Sequence, residues 1–256
     1  MAEPIQITTE GAVATVTLDR PAKKNALDLA TWRALAAAFQ AFDADPALRC
    51  VVLRGAGGHF SAGADIDEFE TLRATPAQAA QYAETPWAAL RALRGCRHPV
   101  VAALEGFCIG AGLELALFAD IRLAAADCRL GIPAHRRGLS MTPLTLEALI
   151  AAIGRPAALE LLLEGAVWDA GTAAARGLVN RVAADLPAEL AATAARIAAG
   201  APLSNRWHKA MAWRLSDSAP LDEAEQAGSF AIYGSADYAE ATRAFAERRA
   251  PVFRGE

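Results

Sequence analysis

One stretch of the chain, from Val100 to Leu115, constrains the fold more than any other. It begins with a continuous apolar run, passes through the small residues of a tight turn, and ends in an apolar segment that contains Glu114. This order predicts a buried strand, a turn and then a helix that carries a carboxylate in its first turns. The start of such a helix leaves free backbone N–H groups at the positive end of the helix dipole. The turn therefore suits an anion or a polarised carbonyl oxygen.

Strand and helix patterns alternate on both sides of this stretch. The predicted strands cover residues 5–9, 13–18, 50–53, 100–104, 121–124 and 178–182, and the predicted helices cover residues 29–42 and 77–93. The first two strands flank Glu10-Gly11 and are predicted to form an antiparallel hairpin. Alternation of strands and helices at these lengths favours an α/β fold with right-handed crossovers.

The second half of the chain is predicted to be more helical. Residues 130–143 are expected to be irregular, and the helix that starts at Leu144 is expected to break at glycines, first at Gly154. Only helical patterns follow Pro187. We therefore expect a core over residues 1–186 and a helical C-terminal subdomain over residues 187–256.

Composition excludes several classes of function. The 256 residues are 54% hydrophobic, which is enough to bury a large core. The net charge is -4 and no basic block is present, so we expect neither nucleic acid nor an anionic membrane surface as a partner. No uncharged apolar run is long enough to span a bilayer, and the first residues do not resemble a targeting signal.

The cysteines and histidines do not form recognisable site patterns. Four cysteines lie far apart in apolar stretches, at Cys50, Cys96, Cys108 and Cys128. This spacing predicts reduced thiols in the core and a cytoplasmic protein. The histidines have no metal-like spacing to carboxylates, so no metal site is expected.

A glycine-rich loop over residues 55–65 suggests close approach of the backbone to a ligand. Its end, Phe60–Asp65, together with Gly106–Glu114, resembles the two signature segments of the crotonase superfamily, also called the enoyl-CoA hydratase/isomerase family. Further similar segments, in the same order, extend over nearly the whole chain. The resemblance implies a spiral of ββα units with a C-terminal helical part for trimer contacts, and trimers that often pair into hexamers.

The resemblance also implies a chemistry. Members of this family bind an acyl-coenzyme A thioester and hold its carbonyl oxygen between two backbone N–H groups, which here would be those of Ala64 and Ala111. Glu114 occupies the position of a catalytic glutamate, although a carboxylate near a helix start is also stabilised by the helix dipole alone. Coenzyme A enters as part of the substrate, and no separate cofactor is expected.

Contacts to coenzyme A are implied by the same resemblance. Lys23 and Lys24 lie where family members often place basic residues near the phosphates, although two loop lysines are commonly only solvated. Ala62, Asp65 and Ile66 would approach the adenine and the pantetheine.

One departure from the family limits what can be inferred. The hydratases carry a second glutamate after a proline, and here Ala134 follows Pro133. A positioned acid or base contributes about 10²–10⁴-fold, so an ordinary hydratase would be slow without it. His135 is the candidate substitute because histidine titrates near neutrality, the alternative being an ordinary loop histidine.

Other departures and alternatives remain open. The arginines that follow, Arg136 and Arg137, would meet either an acidic acyl group or only solvent. Leu144 and Thr145 replace a glycine pair of the family. The missing glutamate at Ala134 and the missing glycine pair both lie in the expected wall of the acyl pocket, so substrate choice is expected to differ.

Three functions remain in competition. The first is an enoyl-CoA hydratase or isomerase with a single glutamate, acting as a lyase or an isomerase. The second is an acyl-CoA-binding protein that has lost catalysis. The third is another crotonase reaction, such as thioester hydrolysis, decarboxylation or carbon–carbon cleavage. A serine hydrolase is disfavoured because Ser61 has no recognisable base or nucleophile elbow.

Overall fold

A computed structural model describes residues 3–216 and 219–256, so the first two residues of the predicted core lie outside it. The strands are β1 (Ile5–Glu10), β2 (Val13–Leu18), β3 (Cys50–Gly55), β4 (Val100–Leu104), β5 (Phe107–Ile109), β6 (Ile121–Ala125), β7 (Arg129–Gly131), β8 (Val167–Asp169) and β9 (Arg181–Ala183). The helices are α1 (Leu29–Ala44), α2 (Phe69–Leu72), α3 (Pro76–Gly95), α4 (Ala111–Leu117), α5 (Pro143–Glu164), α6 (Ala170–Ala175), α7 (Leu186–Ala199), α8 (Pro202–Arg214), α9 (Glu223–Ala231) and α10 (Ala236–Ala246).

The strands form two sheets. The larger has the order β1-β2-β3-β4-β6-β9, in which β1 and β2 make the predicted antiparallel hairpin and the remaining pairs are parallel. The smaller has the order β5-β7-β8. Because the chain passes from β4 to β5 before α4 begins, each sheet contributes one strand to the unit that carries Glu114. The predicted α/β class is confirmed.

Side chains of the larger sheet enter two separate cores. On β3, Val51 and Leu53 join the main core with α1, α3, α4 and α5, whereas Cys50 and Val52 face α7. This alternation follows from the two-residue period of a strand. Both faces of the parallel part are therefore covered, as parallel sheets require.

Several predicted boundaries are wrong. The turn after β4 contains β5, and the stretch predicted to be irregular contains β7 and a 3-10 turn over Ala134–Arg137. The last strand begins at Arg181 rather than at residue 178. The predicted break at Gly154 is a kink within α5, where Gly154 has a φ of 75°. Strands of three residues are too short to show a period, which is why they were not predicted.

The helices after residue 186 continue the core. Leu186 and Ala194 of α7 cover the second face of the sheet. On α8, the Lys209 ammonium lies 2.9 Å from a carboxylate oxygen of Asp120, and the Trp213 indole donates to the other oxygen at 3.0 Å. In residues 3–216 and 219–256, no helix is both long and apolar enough to cross a membrane. All four cysteines are buried and unpaired.

Candidate active site

The glycine-rich loop is fastened to β5 by Ser61. The Ser61 backbone N–H donates to Phe107 O at 2.8 Å, and Ile109 N–H donates to Ser61 O at 3.0 Å. Its hydroxyl donates to Asn25 O at 2.8 Å and accepts from Gly63 N–H at 3.1 Å. Because this hydroxyl is fully buried and is both a hydrogen-bond donor and an acceptor, Ser61 has a structural role in this conformation.

Two glycines allow the loop and the start of α4 to approach each other. Gly63 has a φ of +109°, and a Cβ there would lie 3.0 Å from Ile109 O and 3.7 Å from Ala111 N. A Cβ on Gly112 would lie 2.7 Å from the Ser61 Cβ and 2.9 Å from Ser61 O. The missing side chains therefore bring the backbone of Ala64 beside the first residue of α4.

Two backbone N–H groups are left free by this arrangement. The bridge between Leu27 and Ala64 uses the bonds Leu27 N–H to Gly63 O and Asp65 N–H to Leu27 O, which leaves Ala64 N–H without a partner. Ala111 is the first residue of α4, where no intrahelical acceptor exists. Neither group donates to any atom of the described part of the chain.

Both alanines line a cavity of about 240 Å³. The cavity lies between the loop, α3, the start of α4 and the segment around residue 134. Its walls are mainly apolar and include the side chains of Trp32, Phe69, Tyr82, Trp87, Leu90, Ile109, Ile132 and Leu139. An apolar enclosure of this kind excludes water and strengthens any polar interaction inside it.

Glu114 is the one carboxylate among the residues that line this cavity. Withdrawal of its carboxyl group from water raises the pKa of Glu114 from its ordinary value of 4.5 to about 7, although the charge of Arg73 and a hydrogen bond from Thr145 oppose this shift. Its α4 backbone is anchored because Glu114 N–H donates to Gly110 O at 2.9 Å. A group with this pKa can both accept and return a proton near neutral pH.

A line of polar side chains lies behind Glu114. The Trp87 indole donates to Thr142 Oγ1 at 3.3 Å, Thr142 Oγ1 lies 3.2 Å from Thr145 Oγ1, and the Thr145 side chain acts to lower the pKa of Glu114. Thr145 is 1% exposed, so its hydroxyl competes with little water. This line links α3, the start of α5 and α4.

Ala134 and His135 are placed differently although they are adjacent. Ala134 lines the cavity together with Glu114. His135 is exposed and is not among the lining residues; its ring instead lies over Gly165, where a Cβ would be 2.0 Å from His135 Cε1. The structure therefore does not bring His135 together with Glu114, and the expectation that it supplies a second acid has no geometric support.

Of the five residues predicted to contact coenzyme A, two line the cavity and three do not. Ala62 and Ile66 line the cavity, and Ile66 is 52% exposed. Asp65 is buried, and although burial opposes its ionisation, hydrogen bonds from Arg20 and Lys23 hold its pKa below the usual value. The Asp65 carboxylate is therefore already paired with Arg20 and Lys23.

The two lysines of this region differ. Lys23 Nζ lies 2.7 Å from Asp67 and 3.0 Å from Asp65, and these hydrogen bonds raise its pKa. Lys24 Nζ lies 4.7 Å from the ring centre of Phe107, without an ion pair in the described residues. The Lys24 ammonium is thus more available than that of Lys23 to bind an anionic ligand.

One wall of the site was missed by sequence reasoning. Tyr82, Pro86 and Leu90 recur every fourth residue on α3 and all face the cavity, as does Trp87. Tyr82 donates to Glu68 at 2.9 Å, and the Glu68 carboxylate accepts from the first N–H of α1. The helical spacing was visible in the sequence, but an apolar stripe predicts burial without saying against what.

The contact between Gly112 and Ser61 yields a stability prediction. Gly112→Ala is expected to lower the free energy of unfolding by about 1–3 kcal/mol, because the new Cβ overlaps backbone and a buried side chain. Urea denaturation measures the change. Gly95→Ala is the matched control, since Gly95 ends α3 and a Cβ there meets nothing within 4 Å. Equal effects of the two changes would contradict the steric explanation.

Comparisons of sequence show what the chain is similar to. A family profile described as Enoyl-CoA hydratase/isomerase matches residues 8–256. A protein named "Probable enoyl-CoA hydratase echA8" from Mycobacterium bovis is 33% identical over 256 residues, covering 98% of this chain and 98% of that protein. The mevalonyl-coenzyme A hydratase sidH from Aspergillus fumigatus is 32% identical over 247 residues, covering 93% of this chain and 90% of that protein.

Comparison of structures agrees with this. The crystal structure of an enoyl-CoA hydratase/carnithine racemase from Magnetospirillum magneticum superposes with a TM-score of 0.97 at 49% sequence identity, covering 100% of this chain and 97% of that one. The predicted fold of ββα units followed by C-terminal helices is confirmed by this match.

Proposed function

The chain belongs to the enoyl-CoA hydratase/isomerase family, and from that premise we propose that it catalyses a proton transfer on the acyl chain of an enoyl-CoA thioester. In this proposal Glu114 is the acid/base group. The N–H groups of Ala64 and Ala111 bind the thioester oxygen. Coenzyme A is part of the substrate, and the chemistry requires no further cofactor.

One observation carries the proposal: Glu114 and the two unpaired N–H groups face the same cavity of about 240 Å³. Removal of a proton next to a thioester places negative charge on its oxygen. Fixed donors in a water-poor site stabilise that charge, each by roughly 2.7–4 kcal/mol in comparable sites. The arrangement therefore supports formation of an enolate.

Double-bond isomerisation suits this site best because one carboxylate can carry out both proton transfers. Glu114 would remove a proton from the α-carbon of a β,γ-unsaturated acyl-CoA, giving a dienolate whose negative charge lies on the thioester oxygen. It would then return that proton to the γ-carbon, which leaves the double bond conjugated with the thioester. The raised pKa of about 7 keeps both protonation states of Glu114 accessible near neutral pH.

Hydration is the second candidate, supported by the names of two similar proteins, which are called hydratases. Water addition to an enoyl-CoA needs a base for water and an acid for the α-carbon. With Ala134 in the wall, Glu114 would have to serve as both in turn.

A single optical assay distinguishes the candidates, because conjugation of the double bond with the thioester adds ultraviolet absorbance to the constant contribution of the adenine. With a β,γ-unsaturated acyl-CoA, isomerisation is expected to increase this absorbance. With crotonyl-CoA, hydration would decrease it. Tight binding of both thioesters without either change would support an acyl-CoA-binding protein, and no binding would contradict the proposal altogether.

Assembly and location complete the proposal. We infer that residues 1–186 form the catalytic core, and that residues 187–256, whose helices α7 and α8 also pack against this core, are the part used in a homotrimer or hexamer. The large exposed side chains Phe230 and Phe245 support this, at 71% and 86% exposure. Four unpaired cysteines support a reducing cytoplasm. Lys24, Ala62 and Ile66 are the residues expected to contact the coenzyme A moiety.

The hydrogen bond from Thr145 yields a prediction about pH. Thr145→Val removes a donor to the ionised carboxylate, so the pKa of Glu114 is expected to rise above about 7 and the rising limb of the pH–rate profile to move to higher pH. Thr145→Ser keeps the donor and is expected to restore the profile. An unchanged limb in the valine variant would show that Thr145 does not influence Glu114.

A further inference from the structure

Two arginines reach the same cavity from different walls. Arg73 follows α2, and Arg137 ends the 3-10 turn that begins at Ala134. Both line the cavity that holds Glu114. The sequence pointed to Arg136 and Arg137, of which only Arg137 lines the cavity, and it did not point to Arg73, whose position depends on how α2 packs beside α3.

Neither guanidinium group is in direct contact with a carboxylate of the described residues, although the charge of Arg73 acts on Glu114. Arg73 lies over the rings of Phe69 and Tyr82, at 4.3 and 5.1 Å from their centres, which holds its planar group without neutralising it. Within residues 3–216 and 219–256, the side chains of Arg73 and Arg137 form no hydrogen bond and no ion pair. Their neighbour Arg136 differs, since it donates to Gly165 O at 3.0 Å and does not line the cavity.

The surrounding walls offer these two positive charges only one carboxylate among the described residues, that of Glu114, on which the charge of Arg73 already acts. The lining is mainly apolar, and Glu114 is its one carboxylate. Two guanidinium groups facing one carboxylate leave the cavity with an excess of positive charge. Such an excess favours an anionic ligand, and guanidinium groups bind carboxylates in a two-pronged geometry.

We propose that the acyl group of the substrate carries a terminal carboxylate, which Arg73 and Arg137 bind. This inference rests on the proposed function, because it assigns the substrate class of the same site. The phosphates of coenzyme A are the other possible source of negative charge, and the test separates the two sources.

The test measures binding by calorimetry, below pH 7, of ligands that cannot isomerise. Glutaryl-CoA carries the terminal carboxylate. In 5-methylhexanoyl-CoA an isopropyl group of similar shape replaces it, and free coenzyme A carries only the phosphates. Because no turnover is needed, this result is independent of whether the proposed reaction occurs, which the optical assay decides separately.

Arg73→Met and Arg137→Met remove the charges while keeping much of the side-chain length, and Arg136→Met is the matched control from the same turn. Each of the first two is expected to weaken glutaryl-CoA binding about 10- to 100-fold and to leave the other two ligands within a few fold. The control is expected to change none of the three. Arg137 is exposed, so its variant tests the inference even if Arg73→Met disturbs α2.

Two results would overturn the inference. Equal weakening of all three ligands would mean that the arginines bind the phosphates of coenzyme A. No weakening of glutaryl-CoA in either variant would mean that both side chains are merely solvated.

Discussion

Glu114→Gln is expected to lower turnover of an enoyl-CoA substrate by about 10²–10⁴-fold, the usual contribution of one positioned acid or base. Glutamine keeps the shape of the side chain and the apolar surroundings but cannot take up the proton. The affinity for a saturated acyl-CoA is therefore expected to change little, because the two backbone N–H donors remain. Steady-state kinetics and calorimetry measure the two effects separately.

The same variant is expected to be more stable than the wild type at high pH. In the folded protein the pKa of Glu114 is about 7, against 4.5 for the free group, so the folded state binds the proton more tightly than the unfolded state. The wild type then loses stability as pH rises from about 4.5 to 7, by about 3 kcal/mol in total. The glutamine variant lacks this loss. The difference in the free energy of unfolding between the variant and the wild type is therefore expected to vanish near pH 4.

A matched control comes from an exposed position. Glu147→Gln on α5 removes a carboxylate from an exposed residue, and turnover is not expected to change. Retained activity in Glu114→Gln would contradict the assignment of Glu114 as the acid/base group. The pKa of Glu114 indicates that its ionised carboxylate destabilises the folded state, so Glu114→Gln is expected to remain folded. Loss of the fold in this variant would contradict that expectation.

Ala111→Pro is expected to lower turnover at least 10²–10³-fold while the melting temperature changes little. Ala111 is the first residue of α4, the helix position that tolerates proline best, because its N–H has no intrahelical acceptor. Proline removes this N–H and puts a ring carbon in its place. The thioester oxygen then loses one donor, and a comparable loss costs about 2.7–4 kcal/mol of transition-state stabilisation.

The control for this variant is Ala111→Ser, which keeps the N–H and adds a small side chain. It is expected to retain activity within about tenfold. If the proline variant remained fully active, Ala111 N–H would not contact the reacting oxygen. Circular dichroism checks that both variants keep their helices.

Strands with a local apolar pattern could be predicted from the sequence, whereas strands defined by distant pairing partners could not. Residues 13–18 and 50–53 carry their own apolar patterns, so the larger sheet could be predicted from local sequence. The smaller sheet could not, because its short strands are defined by their partners: Cys108 pairs with Leu130, and Leu130 in turn with Trp168. Such pairs are distant in sequence, and no local period reveals them.

The site divides in the same way. The two signature segments identified Glu114, Ala64 and Ala111 as candidates, and the fold brings them to one cavity. The raised pKa of Glu114 and the presence of Arg73 in the wall were not predictable, because both depend on side chains contributed by α3 and the segment before it. His135 was an attractive candidate by chemistry alone, but the direction of its side chain depends on a turn whose geometry the sequence did not reveal.

Asp120 has a consequence for how the protein is made. Its carboxylate accepts from Val100 N–H at 2.7 Å and from two side chains of α8, and its indole partner lies 93 residues further along the chain. At a synthesis rate of about 5–20 residues per second, Asp120 is synthesised about 5–20 s before Trp213. During that interval the nascent chain holds a negative charge at the end of α4 without the cation that later neutralises it. The contacts of Asp120 with Lys209 and Trp213 can therefore form only after α8 has been translated.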